Sequence, residues 1–145
     1  MTQNRKTYAW HGTAKEFLDS PKSLVEEALD SHLKGLLNMY AAGSQLDAWS
    51  EEIDILRSGF RDLAIARPDS LNWGIVLEYE LPLEGGRRPD VIITGPNKIL
   101  VFEFKQDPKL SRAYLDQAYA YARDLAEYHS ESHNFEVVPY LIPTR

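Results

Sequence analysis

The chain has no cysteine, which excludes disulfides and thiolate-bound zinc and fits the reducing cytoplasm expected for it. No apolar run approaches the ~18 residues that span a bilayer, so no membrane partner is expected. The opening MTQNRKTYAWHG carries no apolar signal core, which makes secretion unexpected. An excess of positive charge is lacking too: 16 Lys and Arg face 22 Asp and Glu, a net charge of −6. That runs against the simplest picture of a nucleic-acid binder. It does not exclude one, because a metal-dependent nuclease must gather carboxylates at its site and a bound cation reverses the local sign. Weak affinity of the domain alone for nucleic acid is the expected consequence.

What remains is an ordinary globular balance: 145 residues, 43% hydrophobic and 26% charged. The length suits one domain with a buried core of its own. Residues 1–70 read as a helical N-terminal part. Thr13-Ala-Lys-Glu16 has the form of a capping box. Ser20-Pro21 offers an N-cap followed by proline at the first helical position. From there Leu24, Val25, Ala28, Leu29, Leu33, Leu36 and Leu37 recur at helical spacing. Gly43-Ser44 breaks that pattern. A further helix puts Leu46, Trp49, Ile53, Leu56, Phe60 and Leu63 on one face and ends at Arg67-Pro68-Asp69-Ser70. Residues 71–145 read as a sheet and a helix. Strands are expected over Ile75–Leu81, Asp90–Thr94, Ile99–Lys105 and Val137–Ile142, with a helix over 111–129 before the last. The third strand is almost continuously apolar and is expected to be buried on both faces. The fold class is α/β with a mixed sheet, in the order helix, three-strand meander, helix, strand, preceded by extra N-terminal helices.

Three charged residues stand where a strand should be apolar: Asp90, Glu103 and Lys105. A charge buried without compensation is costly, so each needs a reason. Glu103 and Lys105 are two apart and share a face of the strand. If Gly95–Lys98 makes the turn, Thr94 faces Ile99 and Asp90 faces Glu103. Directly opposed carboxylates, with Cβ atoms about 4.5–5.5 Å apart, repel unless a cation lies between them. Mg²⁺ or Mn²⁺ suits such a pair, since a hard cation takes few protein carboxylates and completes its shell with water and phosphate. Lys105 would then stand beside it as a point charge able to position an attacking water or stabilise a charged phosphate. The competing structural reading is an ion pair near a sheet edge. It serves well for one of these residues and poorly for three in register across one hairpin.

Pro89-Asp90 followed by Glu103-Phe104-Lys105 resembles the signature of the PD-(D/E)XK nucleases, whose fold is the restriction-endonuclease-like core. Gln117-Ala-Tyr-Ala-Tyr121 is similar to the Q-x-x-x-Y motif of the RecB branch of that superfamily. More narrowly, the chain resembles the N-terminal nuclease-like region of DUF2075 (Schlafen group 3-like) DNA/RNA helicases. The matching stretches are Lys15–Leu18, Ala48-Trp49, Glu78-Tyr-Glu-Leu-Pro82, Gly85-Gly-Arg-Arg-Pro-Asp90, Val101–Lys105, Asp116–Asp124 with Tyr128-His129, and Val138–Thr144. Members of that family usually continue into a P-loop motor, and no G-x-x-x-x-G-K-[ST] occurs here. The resemblance therefore implies either a domain excised from a longer helicase-containing protein or a stand-alone version. It further implies Asp90 and Glu103 as metal ligands, the main-chain carbonyl of Phe104 as another, Lys105 as catalytic lysine, and Gln117 and Tyr121 as helix-borne site residues. Nucleic acid, DNA before RNA, is the implied substrate, and a P-loop helicase domain or subunit the implied partner. The rival function is a catalytically inactive module of the same fold that serves a helicase or defence complex.

A third carboxylate stays open. A three-residue turn at Glu84-Gly85-Gly86 would set Glu80 against Asp90. A bulge near Pro82 would set Glu78 there instead, as the family pattern Glu-Tyr-x-hydrophobic-Pro implies. Glu51 or Glu52 could supply it from the preceding helix, as in many superfamily members. His129 and His133 have i,i+4 spacing but lack a third ligand. Arg87, Arg88, Lys109, Arg112 and Arg123 could meet phosphate, though scattered surface cations are common. Trp10, Trp49 and Trp73 are most simply read as core or rim residues.

Overall fold

The computed structural model of the chain describes residues 8–37, 43–79, 89–105 and 136–143. Local signals set most element boundaries. A short strand β1 (Trp10–Thr13) runs directly into helix α1 (Ala14–Asp19). The capping box forms as expected: the Glu16 N–H donates to Thr13 Oγ1 at 3.1 Å and the Thr13 N–H to Glu16 Oε1 at 2.8 Å. These bonds hold the Glu16 carboxyl below its ordinary pKa.

Ser20 does not start the next helix. It closes α1, with its N–H and its hydroxyl both donating to the Glu16 carbonyl. Helix α2 (Lys22–Leu37) begins instead from the Pro21 carbonyl, which accepts from the Leu24 and Val25 N–H groups. Proline serves there because its missing N–H is not needed at a helix start. Helix α3 (Gly43–Ala66) contains Gly43-Ser44 rather than following it. A 3-10 turn, Pro68–Asn72, then leads into the sheet.

Four further strands follow: β2 (Gly74–Leu77), β3 (Val91–Thr94), β4 (Lys98–Lys105) and β5 (Glu136–Pro143). They form one mixed α/β sheet in the order β1-β2-β3-β4-β5. Neighbours are antiparallel through β4, and β5 runs parallel to β4. The N-terminal part is thus not wholly helical, since β1 pairs with β2 from Trp10↔Leu77 to Thr13↔Gly74. Its four residues, WHGT, show no alternation, and only the pairing makes them a strand. The expected first strand ends at Leu77, with Glu78 and Tyr79 outside it; Glu80 and Leu81, and the expected helix over 111–129, lie outside the described residues.

Gly74 is required by close approach, because a Cβ there would collide with Thr94 Oγ1 on β3. Gly59, inside α3, is different: a Cβ would meet nothing within 4 Å. It costs the helix about 1 kcal/mol relative to alanine.

The sheet is apolar on both faces, as the composition of β4 suggests. On the helix side, Phe17, Val25, Trp49, Ile53 and Phe60 pack with Ile75, Leu77, Val91, Ile93 and Phe104. On the other side Ile92, Ile99 and Val101 form a second cluster, with Val76, Tyr79 and Val137 against it. Helix α3 is tied to its neighbours by Lys22–Asp54 at 2.9 Å. Arg57 donates to the Phe17 and Ser20 carbonyls at the end of α1, where a cation complements the helix dipole. Among the described residues, no helix is long and apolar enough to cross a membrane.

Candidate active site at the ends of β2, β3 and β4

The β3–β4 hairpin closes through the Gly95 N–H donating to the Lys98 carbonyl at 2.8 Å. Its register runs Thr94↔Ile99 to Val91↔Phe102, the register expected from a turn centred on Pro96-Asn97. The next step sets Asp90 level with Glu103. Asp90 itself sits in a bend just before β3, not in the strand. Its carboxylate is turned onto β4, where Oδ2 accepts the main-chain N–H of Phe104 at 2.7 Å.

Pro89 explains that arrangement. Continuing the register sets Phe104 level with Pro89, which has no N–H and cannot donate to the Phe104 carbonyl. The ladder ends there, and the Asp90 side chain takes over the Phe104 N–H. Pro89 is itself fully buried, so this end of the hairpin is packed in place.

The β2–β3 register, Gly74↔Thr94 to Leu77↔Val91, also has a next step. There the Glu78 N–H donates to the Asp90 carbonyl at 3.1 Å. Glu78, and not the residue a three-residue turn would bring, therefore stands level with Asp90. Its φ of 54° lies in the left-handed region, a conformation that costs a side-chain-bearing residue about 1–2 kcal/mol. β2 ends at Leu77, immediately before this left-handed residue.

Three acidic positions thus lie side by side on neighbouring strands: Glu78, Asp90 and Glu103. Strands are ~4.8 Å apart, so Asp90 holds the middle. Glu103 is only 3% exposed. By strand alternation it shares the face of Ile99 and Val101, and Asp90 shares that of Ile92. Among the described residues no three His, Cys, Asp or Glu converge into a group able to hold a metal ion. A cation here would have to be shared by a pair of carboxylates.

Helix α3 packs on the opposite face, so Glu51 and Glu52 belong to the other side of the sheet from Glu103. Lys105 ends β4, paired with Pro143, and its side chain lies outside the described residues. So do Glu80, Arg87, Arg88, Lys109, Arg112, Gln117, Tyr121, Arg123, His129 and His133. Trp49 is buried in the helix-side core, and Trp10 and Trp73 pack against it, as expected.

Two features of this corner escape sequence reasoning. One is the Phe104 N–H as partner of Asp90, which only the register reveals. The other is Tyr79, which packs on the Ile92–Ile99–Val101 cluster beside Glu78. Burial pushes its hydroxyl above the ordinary tyrosine value. Its position directly after Glu78 is the signal that could have found it.

Compared with models of known protein families, with curated proteins and with solved structures, the chain matches none significantly.

Proposed function

We propose that the chain is a metal-dependent nuclease of PD-(D/E)XK type, built on a restriction-endonuclease-like core and hydrolysing phosphodiester bonds, of DNA before RNA. The observation that carries this reading is the paired register that sets Glu78, Asp90 and the Glu103-Phe104-Lys105 segment level at one corner of the sheet. Local rules are broken there twice, by a left-handed glutamate and by a glutamate 3% exposed in a strand. Departures of this kind cluster where function requires them. A meander of three strands with a later strand added to its edge is compatible with the proposed core.

The donor set suits Mg²⁺ or Mn²⁺. It is all oxygen: Asp90 and Glu103 would be the carboxylate pair, the Phe104 carbonyl, which Pro89 cannot satisfy, a neutral ligand, and Glu78 a further carboxylate acting through a bridging water. Such a cation supplies Lewis acidity at the phosphate and acidifies the attacking water. The chain's own residues divide the remaining work. Asp90 has its Oδ2 oriented by the Phe104 N–H. Glu103 is 3% exposed in a largely apolar setting, where a carboxylate attracts a bound cation more strongly than in water. Lys105 stabilises the charge that builds on the phosphoryl oxygens and orients the water. Gln117 and Tyr121, four residues apart in the sequence, contact the substrate strand or steady the lysine.

A second reading has its own support. The Asp90–Phe104 hydrogen bond is what a strand-end cap would make, and the chain carries a net charge of −6. In that reading the domain is an inactive interaction module serving a helicase or defence complex. Incubating the chain with labelled single- and double-stranded DNA and RNA, with Mg²⁺, Mn²⁺ or EDTA, separates the two. Cleavage that requires the metal is expected. Intact substrates in every metal condition would favour the module.

A further inference from the structure

The residues of β2 alternate between the two faces of the sheet. Ile75 and Leu77 pack in the helix-side core, and Val76 packs on the opposite face against Ile92, Ile99 and Val101. Were β2 to continue as a strand, Tyr79 would face the helices with Ile75 and Leu77. It does not. Tyr79 packs against the Ile92–Ile99–Val101 cluster, on the face of Val76. The alternation breaks at Glu78, which among the described residues is the one non-glycine position with a positive φ, 54°. Glycine adopts that conformation at no steric cost, and asparagine and aspartate more readily than other side-chain-bearing residues, yet a glutamate stands there.

Strained backbone persists only where the surroundings over-determine it. Two contacts flank this one. The Glu78 N–H donates to the Asp90 carbonyl at 3.1 Å. One residue on, the Tyr79 side chain lies on an aliphatic surface, where an aromatic ring removes a large apolar area from water. That surface adjoins the acidic positions. Ile92 is two residues from Asp90 on one strand, and Val101 two residues from Glu103 on the next, so each pair shares a face.

We propose that Tyr79 is a positioning residue: its ring, anchored on the Ile92–Ile99–Val101 cluster, holds the left-handed turn at Glu78 and so keeps Glu78 level with Asp90. The ring carries this role, because the surface it meets is aliphatic. Without it the segment loses the packing that offsets the strain. Glu78 then relaxes toward an ordinary negative φ and its hydrogen bond to Asp90 opens. Tyr79 touches neither cation nor substrate and acts through Glu78. Its consequence for a bound metal rests on the nuclease reading above, whereas the anchoring of Glu78 does not.

The test has two arms on the full chain labelled with ¹⁵N. In the first, without metal, hydrogen exchange of the Glu78 amide is measured relative to that of Gly95, whose N–H closes the far end of the β3–β4 hairpin. Tyr79→Ala is expected to speed Glu78 exchange by at least about 10-fold over Gly95. Tyr79→Phe, which keeps the ring, should match wild type. So should Val76→Ala, which thins the same packing ahead of the turn. Should Tyr79→Ala not fold, Tyr79→Val is read with the same expectation. In the second arm Mn²⁺ is titrated calorimetrically. Tyr79→Ala and Glu78→Gln should each weaken binding by about 10-fold, and the double variant should lose no more than either single one. The proposal is overturned if Glu78 stays protected without the ring, if Tyr79→Phe or Val76→Ala releases it equally, or if the Mn²⁺ losses multiply. A wild-type chain that takes up no Mn²⁺ would remove the metal reading, and the exchange arm would still decide whether Tyr79 anchors Glu78.

Discussion

Strand β4 faces two regions built by different rules. Toward the helices it presents Leu100, Phe102 and Phe104, and the layer there is apolar from α1 to β4. Away from them it presents Ile99 and Val101, then breaks the series with Glu103 at 3% exposure. Asp90, just before β3, and Glu78, just after β2, stand at the same level, one capping a main-chain N–H and the other in a left-handed conformation. The first region is arranged for packing, whereas the second holds a left-handed glutamate and a buried one, each of which costs stability. A fold that needed only a core would have continued β4 with another branched aliphatic residue.

The largest expected effect sharpens the packing side of that contrast. Phe17 is fully buried, and Phe17→Ala should destabilise by about 3–5 kcal/mol through lost burial and the cavity left behind. Denaturant unfolding followed by circular dichroism reads this directly. A loss below about 1 kcal/mol would mean that the helix-side layer is not the core described above.

Next comes Asp90, where two substitutions separate structure from chemistry. Asp90→Ala leaves the Phe104 N–H without its acceptor and should cost about 1–3 kcal/mol. Asp90→Asn keeps an amide oxygen as acceptor and should cost well under half of that. Equal losses in urea unfolding would show that the hydrogen bond to Phe104 does not hold this corner.

Glu78→Gly should act in the opposite direction. Removing the left-handed penalty of about 1 kcal/mol should raise the unfolding midpoint while lowering metal-dependent cleavage, because strain and a carboxylate disappear together. A variant that gained stability and kept full cleavage would leave Glu78 outside the site.

The smallest effect belongs to the capping box, far from both regions. The Glu16 carboxyl has a folded pKa below its ordinary 4.5. The stabilisation linked to it is therefore fully present above that unfolded value and is lost as pH falls through the folded one. Glu16→Gln removes the titrating carboxyl while Thr13 still caps the helix, so its deficit against wild type should be greatest at neutral pH and shrink as pH falls below about 4.5. A deficit unchanged in acid would remove the Glu16 carboxylate as the source of that stabilisation.

The sequence speaks clearly wherever the controlling interaction is local. The capping box, the apolar stripe from Trp49 to Phe60 and the Thr94↔Ile99 register depend on neighbours or on one tight turn. β1 depends on a partner more than sixty residues away, and WHGT carries no period of its own. The end of β2 depends on the backbone at Glu78, where no proline or glycine announces a turn. Ser20 is ambiguous in the sequence because a serine between two helices can close the first or open the second, and only its bonds to the Glu16 carbonyl decide. At the site, the pairing of Asp90 with Glu103 follows from counting residues around a turn. The contact of Asp90 with the Phe104 N–H does not, because it exists only where the ladder has already ended at Pro89.

The central claim is that the strand-end carboxylates are kept for chemistry, and one paired measurement on purified wild type and Asp90→Asn tests it most directly. Urea unfolding and Mn²⁺-dependent cleavage of labelled DNA and RNA are recorded on the same preparations. The expected result is nearly coincident unfolding curves, with wild-type cleavage that EDTA stops and a loss of at least about 100-fold in Asp90→Asn. Cleavage persisting in Asp90→Asn, or no cleavage by a folded wild-type chain in any metal, would contradict it.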